Sequence, residues 1–313
     1  MSDHPQRTPE APESPDAVGA VLITGAASGI GRAVAERYAA QGRHRLELVD
    51  ADGDRLAAVA RELGARHQCL DLTDADAPAA AVRRAGSAGP VEILVNAAGV
   101  YPSLEMTGVT ADQWDRLFAL NVRAPVLATA ELARLARAAG TPASVVNISS
   151  GAALRARPGG GPYAASKAAL EMATRAAALE LGPYGIRVNA VSPGFVRVDS
   201  ACNPVTEEYT AAVTTNPLGR PGTPQDIARA VHWIAGPEAS WVTGEILRVD
   251  GGSSTGAPGL PRLWPPPGEP GPGVSARPAS DGPAPDGPDG PPPDEPDGPD
   301  RPQWEPPAGP TAR

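Results

Sequence analysis

Between residues 20 and 250 the chain alternates short apolar runs of strand length with longer, alanine-rich stretches of helical period, and this alternation constrains the fold most. AVLIT (20–24) precedes a helix over about 29–41, RLELVD (45–50) a helix over about 54–63, and HQCLDL a helix near 75–86. EILVNAAG leads to a long helix beginning after Thr110, and SVVNIS to a helix carrying Tyr163. IRVNAVSP (186–193) leads to a helix near 224–235, and EILRVD (245–250) ends the series. Runs with so little polar alternation are buried on both faces, and a helix between each pair of runs makes neighbouring strands parallel. The pattern predicts one α/β domain: a doubly wound, Rossmann-type parallel sheet of about seven strands with helices on both faces. Ligands of such sheets bind beyond the carboxyl ends of the strands, where strand order reverses.

The ends of the 313-residue chain have a different composition. Residues 1–17 are polar and punctuated by proline, without the apolar stretch of a signal peptide. From about Ala257 onward Pro, Gly and Asp dominate, and DGP recurs at 281–283, 286–288, 289–291 and 297–299. Such segments lack the apolar side chains that offset ordering entropy, and their prolines remove backbone donors. Both tails are therefore expected to be disordered, the second partly polyproline-like, which leaves 18–256 as one folded domain. Leu260, Leu263 and Trp264 carry enough apolar surface for residues 257–264 to dock on that domain or on a neighbouring subunit. Of the net charge of -9, the two tails hold -3 and -5, so the core is near -1 and has no basic field for nucleic acid. Cys69, Cys202 and four scattered histidines give neither a disulfide framework nor a metal-ligand spacing. No apolar run approaches 18 residues, so no membrane span is expected and the cytoplasm is the default compartment.

Tyr163 and Lys167 stand four residues apart in GPYAASKAAL and would project side by side from one helix face. Ser150 comes thirteen residues before Tyr163, at the end of the apolar run ASVVNISS. A free phenol titrates near 10, and making it a base near neutrality requires about 4 kcal/mol. One positive charge about 5 Å away, at an effective dielectric near 20, supplies about 3 kcal/mol, so Lys167 is a sufficient source. Taken alone, a YxxxK pair on an alanine-rich helix is an ordinary surface pair, and the surrounding motifs decide against that. TGAASGIG (24–31) follows the first strand and opens a helix, where Gly25, Gly29 and Gly31 bring backbone close to a pyrophosphate. NAAG (96–99), Ser150 and Pro193-Gly194 close the fourth, fifth and sixth strands, so every loop lies at the same end of the sheet.

With TGAASGIG, NAAG, Asn121, Ser150, Tyr163, Lys167, Pro193-Gly194 and VDGG (249–252) in order, residues 18–256 resemble the short-chain dehydrogenase/reductase family. The likeness is to its single-domain subgroup with TGxxxGxG spacing. It implies interconversion of a secondary alcohol and a ketone by hydride transfer with NAD(P), without a metal. It implies that Tyr163 exchanges a proton with the substrate oxygen while Ser150 hydrogen-bonds that oxygen. Lys167 would hold the nicotinamide ribose and lower the Tyr163 pKa, and Asn121 would position a water linking Lys167 to solvent. The dinucleotide would lie on Thr24, Gly25, Ser28, Gly29, Ile30 and Gly31, then on Asp71 and Leu72 at the adenine. Asn96, Ala98 and Gly99, and Pro193, Gly194 and Val196, would complete its contacts together with Tyr163 and Lys167. Two positions depart from the family pattern: Ala97 replaces the second asparagine of NNAG, and Val198 stands where a threonine often holds the carboxamide. Ring orientation would then rest on the backbone of Phe195 and Val196.

Asp50 closes the second strand nineteen residues after Gly31, where an acid takes the ribose hydroxyls and repels a 2′-phosphate, so NAD is the expected cofactor. A helix amino cap is the competing reading of Asp50, and Arg43 and Arg45 keep NADP open. Substrate contacts are expected from loops at about 100–106, 151–162 and 195–217. Arg155 and Arg157 suit a carboxylate or phosphate, and Tyr101, Cys202 and Tyr209 suit a pocket wall. The likeness implies a homotetramer or homodimer built on the helices after Thr110 and Gly161, acting on a small-molecule alcohol or ketone. One alternative is a 3-oxoacyl-thioester reductase, which would prefer NADPH and carry a basic docking patch. Another is a dinucleotide-binding regulator or scaffold whose proline-rich tail recruits partners. The complete Asn121, Ser150, Tyr163, Lys167 set argues against the latter.

Overall fold

The computed structural model describes residues 19–198 and 216–256, together with Glu207 and Thr210. The tails at 1–17 and 257–313, with Leu260, Leu263 and Trp264, lie outside the described residues, as do Cys202 and Tyr209.

All seven apolar runs form strands: β1 Ala20–Thr24, β2 Arg45–Asp50, β3 Arg66–Cys69, β4 Val91–Asn96, β5 Ala143–Ile148, β6 Ile186–Pro193 and β7 Ile246–Val249. They pair in parallel as one sheet, in the order β3-β2-β1-β4-β5-β6-β7. Strand order reverses between β1 and β4, which places a ligand crevice beyond the carboxyl ends of those two strands. The helices are α1 Gly29–Ala39, α2 Gly53–Leu63, α3 Ala77–Gly86, α4 Ala111–Phe118, α5 Ala124–Ala139, α6 Gly161–Leu181 and α7 Pro224–Ala235.

Successive residues of a strand face opposite sides, and here each side is a core. Val21 and Ile23 join Leu48, Val34, Leu56 and Ile227 in a layer with α1, α2 and α7. Ala20 and Leu22 join Val82, Leu132, Val145 and Ala178 in a layer with α3, α5 and α6. That double burial is why the strand sequences show no polar alternation. Among the described residues, no helix is long and apolar enough to cross a membrane.

Three elements differ from the sequence expectation. The third strand stops at Cys69 rather than running through HQCLDL, so Asp71 lies two residues beyond it. The reason is register: Cys69 pairs with Asp50, the last residue of β2, and an edge strand has no second neighbour to continue the ladder. Ser150 likewise lies two residues beyond β5, at the start of a 3-10 turn over Gly151–Ala153. The long helix after Thr110 begins with a capping box, Thr110 with Gln113, but is interrupted by a π turn over Ala119–Arg123. Pro125 lacks the N–H that would bond the Asn121 carbonyl in a regular helix, and the turn widens there.

Candidate active site

The loop after β1 turns back on itself at Gly25, whose φ of 69 is a left-handed conformation that favours glycine. A Cβ at Gly25 would meet the Ala98 backbone at 2.7 Å, and one at Gly31 would meet the Gly25 carbonyl oxygen at 2.1 Å. Only hydrogens at these two positions let the loop close over the amino end of α1, where unpaired N–H groups point outward. Ser28 stands at the amino cap of α1 without a side-chain capping bond, and Ile30 packs on the core. Thr24 Oγ1 accepts from the Ala97 and Ala98 amides, both at 3.1 Å, and so ties the NAAG loop to the first. Asn96 is turned inward, its Nδ2 donating to Asn147 Oδ1 at 2.9 Å. Thr24, Leu72, Asn96 and Ala98 line one small cavity.

Asp50 is held over this loop: Oδ2 accepts from the Ala27 amide and Oδ1 from the Asp52 amide, each at 3.0 Å. It does not cap α2, because Asp52 does, accepting from the Arg55 amide at 3.1 Å. The capping alternative for Asp50 is therefore removed. Arg45 opens β2 at the opposite, amino end of the strands and bonds the Ala85, Ala88 and Gly89 carbonyls there, and Arg43 precedes it in the chain. Neither belongs to the loop end of the strand. Asp71 accepts from the Thr73 amide at 2.9 Å and from its hydroxyl at 2.8 Å, and these bonds hold its carboxyl below the usual range.

Tyr163 is the third residue of α6, and Lys167 follows one turn later. Ser150 stands near enough to the Tyr163 phenol to pull its pKa down, and its Oγ accepts from the Ala152 amide at 3.2 Å. Lys167 is buried, its Nζ donating to the Ile148 carbonyl at 2.8 Å and lying 5.8 Å from the Tyr163 ring centroid. Gly99 leaves room here, since a Cβ would come within 3.2 Å of Asn121 Oδ1 and 3.5 Å of Lys167 Nζ. Asn121 is wholly buried; its Nδ2 donates to the Val100 carbonyl and to Ser166 Oγ, and its Oδ1 accepts from the Val100 amide. Thus the asparagine side chain pins the loop after β4.

The electrostatics differ from the expectation. Burial raises the Tyr163 phenol above its ordinary value, against Ser150 and the positive charge of Arg157, which pull it down. Burial also pushes Lys167 down to about 8. Burial outweighs the groups that pull the phenol down, and the Lys167 ammonium is itself desolvated and turned to the Ile148 carbonyl. Of the two loop arginines, Arg157 is the one whose charge reaches Tyr163, whereas Arg155 Nη2 donates to the Ser253 carbonyl at 2.8 Å. The Tyr101 ring lies 6.2 Å from the Tyr163 ring. Gly194 packs on Asp250, where a Cβ would meet the Asp250 backbone at 2.8 Å. Val196 bridges to Gly222, and this pairing uses the Phe195 carbonyl and the Arg197 amide. Val198 covers Gly29, with Cγ1 3.4 Å from where a Cβ would be.

Sequence reasoning passed over the buried supports. Asn147 donates to Thr174 Oγ1 at 2.9 Å, joining β5 to α6, and Ser149 Oγ donates to Glu171 Oε1 at 2.7 Å. The signal was there: an asparagine inside ASVVNISS must find a partner in a strand buried on both faces.

A glycine loop at a helix amino end, an acid at the end of β2 and a neighbouring Ser–Tyr pair with a buried lysine are the arrangement of a dinucleotide-dependent oxidoreductase. The family described as "Enoyl-(Acyl carrier protein) reductase" matches residues 25–254. Galactitol 2-dehydrogenase (L-tagatose-forming) of Cereibacter sphaeroides is 38% identical over 242 residues, covering 74% of this chain and 92% of the relative. D-erythrulose reductase of Gallus gallus is 38% identical over 234 residues, covering 74% and 94%. A solved structure of a short chain dehydrogenase/reductase family protein is 39% identical, with a TM-score of 0.68 over 75% of this chain and 97% of its own. A 3-ketoacyl-(acyl-carrier-protein) reductase from Brucella melitensis complexed with NADH is 33% identical, and a blue fluorescent protein from a metagenomic library in complex with NADPH 34%. Both have a TM-score of 0.68 and cover 98% of their own chains, against 75% and 76% of this one. The chain belongs to the short-chain dehydrogenase/reductase family. It is an NAD(P)-dependent oxidoreductase that interconverts a small-molecule alcohol and its ketone.

Proposed function

We propose that the protein is an NAD(H)-dependent dehydrogenase of a small polyol and its ketose, with Tyr163, Ser150, Lys167 and Asn121 as its catalytic set. The observation that carries this reading is the nearness of Ser150 to the Tyr163 phenol, whose pKa it pulls down, with Lys167 one turn further along α6, at the same sheet end as Gly25, Gly29 and Gly31. The sugar and polyol names of the relatives support the substrate class.

The bound nicotinamide supplies or takes the hydride. Its dinucleotide fits the residues present: glycines at Gly25 and Gly31 permit close approach of a pyrophosphate, and each Asp50 oxygen keeps a lone pair for a ribose hydroxyl. That carboxylate would repel a 2′-phosphate, and the position of Arg45 at the amino end of β2, away from the glycine loop, supports NAD further. In the reducing direction Tyr163 passes its proton to the substrate oxygen while Ser150 donates a hydrogen bond to the same atom. A phenol raised by burial holds its proton at neutral pH, which suits it to act as the acid. Lys167, near 8, gains and loses a proton in the range where the phenol must be reprotonated. Asn121 keeps Val100 and the loop beside Gly99 in place.

The test is a screen following NADH absorbance over polyols and ketoses, with Tyr163→Phe as the blank. Turnover lost in that variant supports the assignment; turnover retained at the wild-type rate refutes it. A second reading, a 3-oxoacyl-thioester reductase, is favoured by the family description and by the name of the Brucella melitensis protein. Preference for NADPH with an acetoacetyl thioester, and no turnover of ketoses, would make it the better one. A homotetramer or homodimer is supported by Val126, Met172 and Leu179, which are exposed on α5 and α6, and light scattering measures it.

A further inference from the structure

Four buried side-chain polar atoms of the described residues lack a hydrogen-bond partner, and three of them fall within one stretch: Arg37 Nε, Tyr38 Oη and His44 Nδ1. Buried polar groups are nearly always paired, so such a concentration marks a place where a partner belongs. The stretch covers the carboxyl end of α1 and the turn into β2, at the amino end of the strands, opposite the glycine loop. It packs against α7: the Tyr38 ring is 5.2 Å from the His232 ring, and Gln41 bonds His232 Nε2 at 2.8 Å. The Arg37 charge acts on both Tyr38 and His232.

Alongside this stretch a groove of about 310 Å³ runs between α1 and α7, lined by Arg37, Gln41, Gln225, Arg229 and Glu36 over small alanines. The acids nearby are already satisfied: Glu36 pairs with Arg32 at 2.8 Å, and Asp226 with Arg220 at 2.7 Å and Arg229 at 2.6 Å. The Arg37 guanidinium, in contrast, forms no ion pair with any described residue. Arg37 is the one of the three that lines the groove, and its Nε is a donor only, so what the groove lacks is an acceptor.

We propose that the groove between α1 and α7 is a second binding site, for a small organic anion carrying a carboxylate or a phosphate monoester. Arg37 grips the anion, Arg229 joins it through the guanidinium nitrogens that Asp226 does not take, and Gln41 and Gln225 orient it. The site is separate from the active site and does not rest on the catalytic assignment.

Calorimetry on the full chain saturated with NADH, so that the dinucleotide site is filled, tests it with inorganic phosphate and with citrate as probes. Binding of one citrate or phosphate per chain is expected. Arg37→Gln, and Ala40→Trp, which fills the groove from an exposed position on its wall, are each expected to weaken it at least about tenfold. NADH affinity and the circular dichroism of both variants stay at wild-type values. No heat with either anion, or binding that survives both substitutions, overturns the proposal. Binding seen only without NADH does so too, because it places the anion on the glycine loop.

Discussion

Replacing Lys167 with Met should abolish turnover and yet stabilise the fold at neutral pH. Burial holds this lysine near 8 against an ordinary 10.5, a gap equivalent to about 3 kcal/mol of destabilisation whenever the side chain is protonated in the folded protein. The sign follows from linkage. A depressed folded value means that the unfolded chain binds the extra proton, so the contribution is favourable above 10.5 and lost as pH falls through about 8. Methionine removes the charge and keeps the length of the stem, but leaves the Ile148 carbonyl without its donor, at about 1–2 kcal/mol. The net gain for Lys167→Met at pH 7 is then about 1–2 kcal/mol. Urea unfolding measured at half-unit steps from pH 7 to 10 is the assay. The advantage of the variant should be constant below about pH 8 and then shrink by about 1.4 kcal/mol per pH unit as the wild type gains relative stability. A variant less stable than wild type at pH 7, or a difference that does not change with pH, would falsify the account of Lys167 as a desolvated cation.

Asn121→Leu leaves the Val100 amide and carbonyl unpaired, each worth about 1–3 kcal/mol, so a loss of about 4 kcal/mol is expected in a thermal melt. Ser166→Ala, which removes one acceptor of the same amide, should cost far less, and equal losses would exclude the pinning role. Asp50→Arg should shift the ratio of kcat/KM with NAD to that with NADP towards NADP by more than about tenfold, and an unchanged ratio removes Asp50 from cofactor selection. Because burial raises the Tyr163 phenol, alcohol oxidation should climb from pH 7 towards pH 10 while ketone reduction declines, and a flat oxidation profile contradicts that role. Deleting 266–313 should leave turnover intact, whereas deleting from 257 should lower the melting temperature or the assembly state. Equal melting temperatures for both truncations rule out docking by Leu260, Leu263 and Trp264.

The features that could be read without coordinates are those set by near neighbours along the chain. Apolar runs such as AVLIT and SVVNIS, separated by helices, dictated a parallel sheet buried on both faces, and TGAASGIG dictated a glycine turn into a helix. The four-residue spacing of Tyr163 and Lys167 put both on one side of α6 without reference to any other element. The π turn at Asn121, just before Pro125, was seen only in the structure.

What remained hidden depends on partners far away in sequence. Whether Asp50 caps a helix or holds the glycine loop turns on the Ala27 amide, twenty-three residues away, and whether Arg155 or Arg157 attends the phenol turns on Ser253. Lys167 looked like the source of an acidic tyrosine from charge and spacing. Burial, which no spacing encodes, reversed the direction of the Tyr163 shift and lowered Lys167 itself. Sequence thus determined which elements form and which end of the sheet carries the chemistry, because backbone geometry and periodicity are local. Tertiary packing alone decided hydrogen-bond partners and pKa directions, because desolvation and long-range contacts exist only once the two core layers have closed on the sheet.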